Sequence, residues 1–189
     1  FLLVEGNEAI IFTDAETDPF NNDSDDIDLN QAVVDNAIGV VNYDIGHVFT
    51  SSDGGVAVLG SVCGGSKAKG LTGLPEPTGD SFYIDYVAHE LGHQFGGEHS
   101  YNGTGGACGN QRSPLTAWEP GSGATIMAYA NICAPQNLQS NSDDFFHIGS
   151  VEQIRSFIEN GTGNTCGTTT ALDNTRPTVD AGQAYSIPS

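Results

Sequence analysis

The sequence predicts an α/β domain. Short β-branched and aromatic runs sit early in the chain, other stretches place apolar residues at helical spacing, and glycine- and proline-rich connections separate them. With 189 residues the chain is long enough for one domain with a sizeable core.

The elements follow in chain order. Ala9–Thr13, AIIFT, reads as a strand, with the preceding FLLV in the same strand region. Asp14–Asn30 is rich in aspartate and has no core-forming pattern, so it reads as a surface loop. It lacks the glycine and terminal glutamate of an EF-hand loop, and solvated charge is expected there. Leu29, Ala32, Val33, Ala37, Val40 and Val41 then recur at helical spacing, with Asp28 as the expected N-cap. IGHVFTS (Ile45–Ser51) and GVAVLGSVC (Gly55–Cys63) read as strands joined hairpin-fashion through SDGG. Gly64–Asp80, rich in glycine and proline, reads as an irregular loop. A helix is expected from Phe82 to Phe95, capped by Asp80 or Ser81 and ended by Gly96–Gly97. Beyond the loop-rich stretch Asn102–Gly123 and the apolar turn TIMAYA, Ser150–Gly161 is amphipathic, with Val151, Ile154, Phe157 and Ile158 on one face. Ser150 and Gln153 suit a capping box and Gly161 the C′ position. The Thr-rich segment 168–189 reads as a linker to a further C-terminal domain, leaving 1–167 as the main domain.

Charge excludes several partners. The 24 acidic residues against 5 basic ones give a net charge of −19. Such a surface repels phosphate backbones and anionic membranes, so no nucleic acid is expected, and it suits hard cations. No stretch approaches the ~20 apolar residues of a membrane span. Nor does the chain open on a basic segment followed by an apolar run, so any secretion signal is expected to lie outside it. Cys63, Cys108, Cys133 and Cys166 are well separated and form no CxxC pair. Two disulfides and an oxidising, extracellular compartment are the reading; four buried thiols are the alternative, and three pairings stay open.

HELGHQFGGEHS (His89–Ser100) holds three of the chain's five histidines. On a helix His89 and His93 share a face, and Glu90 projects beside an ion held there, placed to act as base. A glycine at Gly96 lets the chain turn and return His99 as a third ligand. Three imidazoles and one open position are what catalytic zinc uses. HExxH alone also fits a solvated helix face; the longer HExxHxxGxxH supplies a complete ligand set.

This motif and TIMAY (Thr125–Tyr129) resemble the zinc motif and Met-turn of metzincin metallopeptidases. NYDIGHVF, GGVAVLGSVC, KAKGLTG, GDSFYIDYVAHELGHQFGGEH, EPGSGATIMAYANIC and SDDFFHIGSVEQI are similar to the reprolysin (adamalysin-like) family, especially bacterial secreted members. The resemblance spans about Phe1 to Cys166.

The resemblance implies a twisted, mostly parallel sheet with an antiparallel edge strand, an active-site helix and a loop-rich C-terminal subdomain. It implies a secreted endopeptidase that hydrolyses protein or peptide substrates with zinc-activated water and Glu90 as general base. It places Met127 beneath the zinc, although an ordinary core methionine reads the same way. It pairs Cys63 with Cys166, and so Cys108 with Cys133. It makes Val56, Ala57, Val58, Leu59 and Gly60 the edge strand that receives substrate, and sets a specificity-pocket wall around Thr116–Ile126. Tyr129 stands where venom and animal reprolysins carry proline but astacins and serralysins carry tyrosine. It is therefore a candidate oxyanion stabiliser, with plain packing as the alternative. His47, His147 and Asp85 are expected to be structural. Calcium fits the acidity and the family, though no loop spells out a site. A complete domain of this family opens with a further strand and long helix, so a fragment or nicked form is expected, and a prodomain besides. The rival reading is a catalytically inactive, zinc-stabilised adhesion or binding module, which has no reason to keep Glu90.

Overall fold

The computed structural model describes residues 2–168, 170, 173–175, 177–180 and 182–183. After a 3-10 turn at Asn7–Ile10 come α1 (Asp26–Ala37), β1 (Val48–Thr50), β2 (Gly54–Ala57) and β3 (Gly70–Gly73). A π-helical segment, Ser81–Ala88, runs directly into α2 (His89–Gln94), and α3 spans Ile148–Asn160. The fold is mixed α/β with one small sheet. Its order is β1-β3-β2: β1 runs parallel to β3, with Val48 opposite Leu71, and β2 runs antiparallel to it, with Val56 opposite Leu71. β2 is therefore an antiparallel edge strand.

The expected β1–β2 hairpin does not form, because β3 inserts between the two strands. β3 arises from the stretch that reads as irregular loop, and all four of its residues are buried. Glycine in a strand marks close backbone approach. A Cβ at Gly70 would strike Gln94 and His47, and one at Gly73 would strike the Ser52 carbonyl and the Thr50 hydroxyl. The residues that read as loop punctuation are those that let a central strand fit.

The expected strand at Ala9–Thr13 is also absent among the described residues. Val4 and Ile10 pack instead on the core of Val34, Ile38, Tyr43 and Ala68 under α1. That helix begins earlier than Asp28. Asp26 is fully buried and accepts the backbone N–H groups of Asn21, Asn22 and Asp23 at 2.9, 2.7 and 3.3 Å. This carboxylate folds the acidic segment onto the helix start rather than standing in solvent. Asp28 pairs with Lys69 at 2.5 Å.

α3 is capped by His147, whose Nδ1 accepts the Gly149 N–H at 3.1 Å while its ring stacks on Trp118. The Ser150–Gln153 capping box is therefore not made; the Gln153 side chain takes the Glu98 N–H at 3.2 Å. Gly161 ends the helix in an extended conformation, φ −102°, not the left-handed one. Of the expected apolar face, Ile154 and Phe157 are half-buried, while Val151 and Ile158 stay exposed.

Two disulfides close the fold. Cys63–Cys166 ties the turn after the edge strand to the segment beyond α3, and Cys108–Cys133 lies in a second core with Tyr101. The expected linker at 168–189 falls partly outside the described residues, as does Phe1.

A substitution separates strand from loop here. Gly73→Ala should destabilise the chain by about 1–3 kcal/mol through overpacking, read as a lowered urea midpoint. Gly65→Ala, with nothing within 4 Å of its new methyl, should leave the midpoint in place.

Candidate metal centre

α2 presents His89 and His93 one turn apart on the same face. Gly96, at φ +85°, ends the helix, and its N–H returns to the His93 carbonyl at 2.8 Å. The chain then doubles back to bring His99 against the other two. His93 Nε2 stands 3.1 Å from His89 Nε2 and 3.1 Å from His99 Nε2.

The other ring nitrogens decide what these contacts are. His89 Nδ1 faces the Ile126 carbonyl at 2.7 Å, His93 Nδ1 the Gly97 carbonyl at 2.7 Å, and His99 Nδ1 the Gln111 carbonyl at 2.5 Å. A carbonyl only accepts, so every Nδ1 carries the proton and every Nε2 an unshared pair. Burial holds the rings neutral: it lowers His89 well below the usual histidine range, His93 to about 4, and His99 as well. Three lone pairs thus converge with no proton between them, which is the donor set of a cation site. Tetrahedral zinc with bonds of about 2.0–2.1 Å holds its nitrogens about 3.3 Å apart. The two distances from His93 fit, and all three ligand atoms lie within 4.8 Å of one another. Among the described residues this is the one grouping of its kind.

Glu90 lies beside the trio and is 7% exposed, and its Oε2 has no protein partner. Burial raises its pKa to about 8. β2 crosses directly over it: a Cβ at Gly55 would stand 2.7 Å from Glu90 Cγ, so glycine there permits the approach. Met127 is fully buried, and its sulfur packs where a Cβ on Gly92 would otherwise sit. Its carbonyl accepts the Ser100 N–H at 3.0 Å. Tyr129 packs its ring 4.5 Å from that of His99 and 5.6 Å from that of His89. Burial, and then the charge of Glu90, push its phenol up to about 12, leaving it a proton donor near neutral pH.

A cleft of about 260 Å³ opens on these groups, lined by Val56, Ala57 and Leu59 together with Glu90, His99 and Tyr129. The edge strand itself is displaced from the expected Val56–Gly60 to Gly54–Ala57. Val58 keeps one ladder bond to Lys69, and Gly60 turns away at φ +63° beneath the Phe157 ring. The wall expected around Thr116–Ile126 does not line this cleft; Gln111 and Ser113 do. Thr116 and Ile126 act from behind, through Thr116 Oγ1 to the His99 carbonyl at 2.6 Å and the Ile126 carbonyl to His89.

The remaining candidates lie outside the trio. His47 bridges Gln94 and Thr72, both at 2.8 Å, and burial lowers it to about 4. Asp85 accepts the Ser142 N–H at 2.7 Å. Tyr101 and Glu119 are not among the expected site residues, although Glu119 opens the EPGSGATIMAYANIC stretch; both are buried against the segment that carries His99. Tyr101 is fully buried, with its ring 5.2 Å from that of His99.

The sequence pattern of metallo-peptidase family M12B, reprolysin-like, matches residues 1–157. The chain belongs to this family. No characterised protein sequence matches it closely enough to count as a relative. The family and the three-histidine geometry together make this a zinc metallopeptidase centre, and protein or peptide substrates follow from the family. No described helix is long and apolar enough to cross a membrane.

Zinc should stabilise this fold by mass action. Chelation of the purified chain should lower its melting temperature, and one equivalent of Zn²⁺ should restore it, since ligand at about 100-fold above Kd adds about 2.7 kcal/mol. Calorimetry on the two forms reads the shift.

Proposed function

We propose that this chain is a secreted zinc endopeptidase in which Glu90 moves the protons of peptide hydrolysis. The observation that carries the reading is the buried Glu90 Oε2, which has no protein partner and stands at the convergent histidines in an open cleft. Such an oxygen is held ready for a proton that arrives with substrate or water. When bound, zinc supplies Lewis acidity. Glu90 takes a proton from the attacking water at Oε2 and delivers it to the leaving amine.

Substrate adds to the outer edge of β2, whose other edge is already paired with β3, through main-chain hydrogen bonds that tolerate many sequences. Tyr129, protonated and packed on two of the histidines, donates its hydroxyl to the oxyanion. Met127 forms the apolar base of the centre and fixes the α2 turn between its two ligands. The two disulfides support export to an oxidising compartment.

The test pairs metal content with cleavage of denatured casein for wild type, Glu90→Ala and Tyr129→Phe. All three should hold one zinc per chain. Glu90→Ala should lose roughly 100-fold or more in rate, and Tyr129→Phe roughly 100-fold in kcat with little change in KM. Zinc in every form with no cleavage by wild type would favour the non-catalytic binding module instead.

A further inference from the structure

We propose that Glu119 is a positioning residue of the metal centre, pinning the segment that carries His99 to the turn whose carbonyl orients His89. The inference rests on the zinc reading above. Glu119 is 7% exposed and both its oxygens are engaged. Oε1 accepts the Ser100 and Thr125 hydroxyls, each at 2.5 Å. Oε2 accepts the Ala124 and Thr125 N–H groups at 2.8 and 3.1 Å.

Its partners are what give the residue a reach beyond its own loop. Ser100 follows His99 directly, and Thr125 precedes Ile126, the residue whose carbonyl accepts His89 Nδ1. The backbone repeats the link: Glu119 N–H donates to the Ser100 carbonyl at 2.9 Å, and Ser100 N–H to the Met127 carbonyl at 3.0 Å. A circuit therefore runs from His99 through Ser100, Glu119 and Thr125 to Ile126 and on to His89, and His93, whose Nε2 stands 3.1 Å from the Nε2 of each, closes it. Gly123, at φ +68°, lets the turn wrap the carboxylate, for a Cβ there would lie 3.2 Å from Glu119 Cδ. Burial disfavours the charge, and the four hydrogen bonds outweigh it, holding the carboxyl below its ordinary pKa. A glutamine offers one acceptor oxygen where four donors converge, so it cannot satisfy both ends of the circuit.

Groups that orient metal ligands govern affinity for the ion as well as geometry around it. In the full chain, Glu119→Gln should weaken Zn²⁺ binding by roughly ten- to hundred-fold, measured by competition with a chromophoric chelator. It should also shift the visible d–d bands of the Co²⁺-loaded protein, a readout that general loss of stability does not move. Thr125→Val and Ser100→Ala, which each remove one donor to Oε1, should shift the same bands by less, and they decide the matter if Glu119→Gln does not fold. Zinc affinity within about twofold of wild type and unchanged cobalt bands would overturn the inference, even with a lowered melting temperature. A wild type that binds no zinc would overturn the zinc reading and this inference with it.

Discussion

Three backbone carbonyls each accept an Nδ1 proton from one histidine, and the centre depends on that arrangement. Because Ile126, Gly97 and Gln111 supply only acceptors, the tautomer of all three rings is settled and their Nε2 lone pairs face one another. Neutral imidazoles 3.1 Å apart with unshared pairs converging repel unless a cation sits between them. The fold around them is arranged to hold those carbonyls still. One comes from the helix-ending turn at Gly97, one from the loop after the 3-10 turn at Gly106–Asn110, and one from the Met127 turn.

The supports of these carbonyls come from well-separated parts of the chain. Gly60 N–H reaches the His93 carbonyl at 2.9 Å, so the segment leaving the edge strand also braces the end of α2. Gln94, fully buried in the same helix, bonds His47 and the Gly46 carbonyl, which locks α2 onto the approach to β1. Helix, sheet and loops therefore meet at one place. The edge strand and the helix that carries His89 and His93 are thereby held in one frame.

The ligand set was legible in the sequence because it is local: helical spacing relates His89 to His93, and the freedom of glycine at Gly96 accounts for the return of His99. The elements that escaped are those fixed by distant partners. β3 reads as a loop because Gly70 and Gly73 punctuate it, and only the packing of Gln94, His47 and Ser52 explains why glycine belongs there. Asp26 reads as solvated charge until three amides from its own loop fold onto it. Ser150 has a good capping pattern, yet His147 takes the cap because Trp118 fixes its ring beside the Gly149 N–H. Glu119 opens the EPGSGATIMAYANIC stretch, yet its importance lies in hydrogen bonds to Ser100 and Thr125, which only folding brings together.

The most direct test of the centre is zinc-edge X-ray absorption on the full chain loaded with one equivalent of metal. Three imidazole nitrogens and one further light atom at about 2.0–2.1 Å, with no sulfur, would match the convergent Nε2 atoms. Sulfur scattering at about 2.3 Å, or fewer than three imidazoles around the ion, would contradict the account.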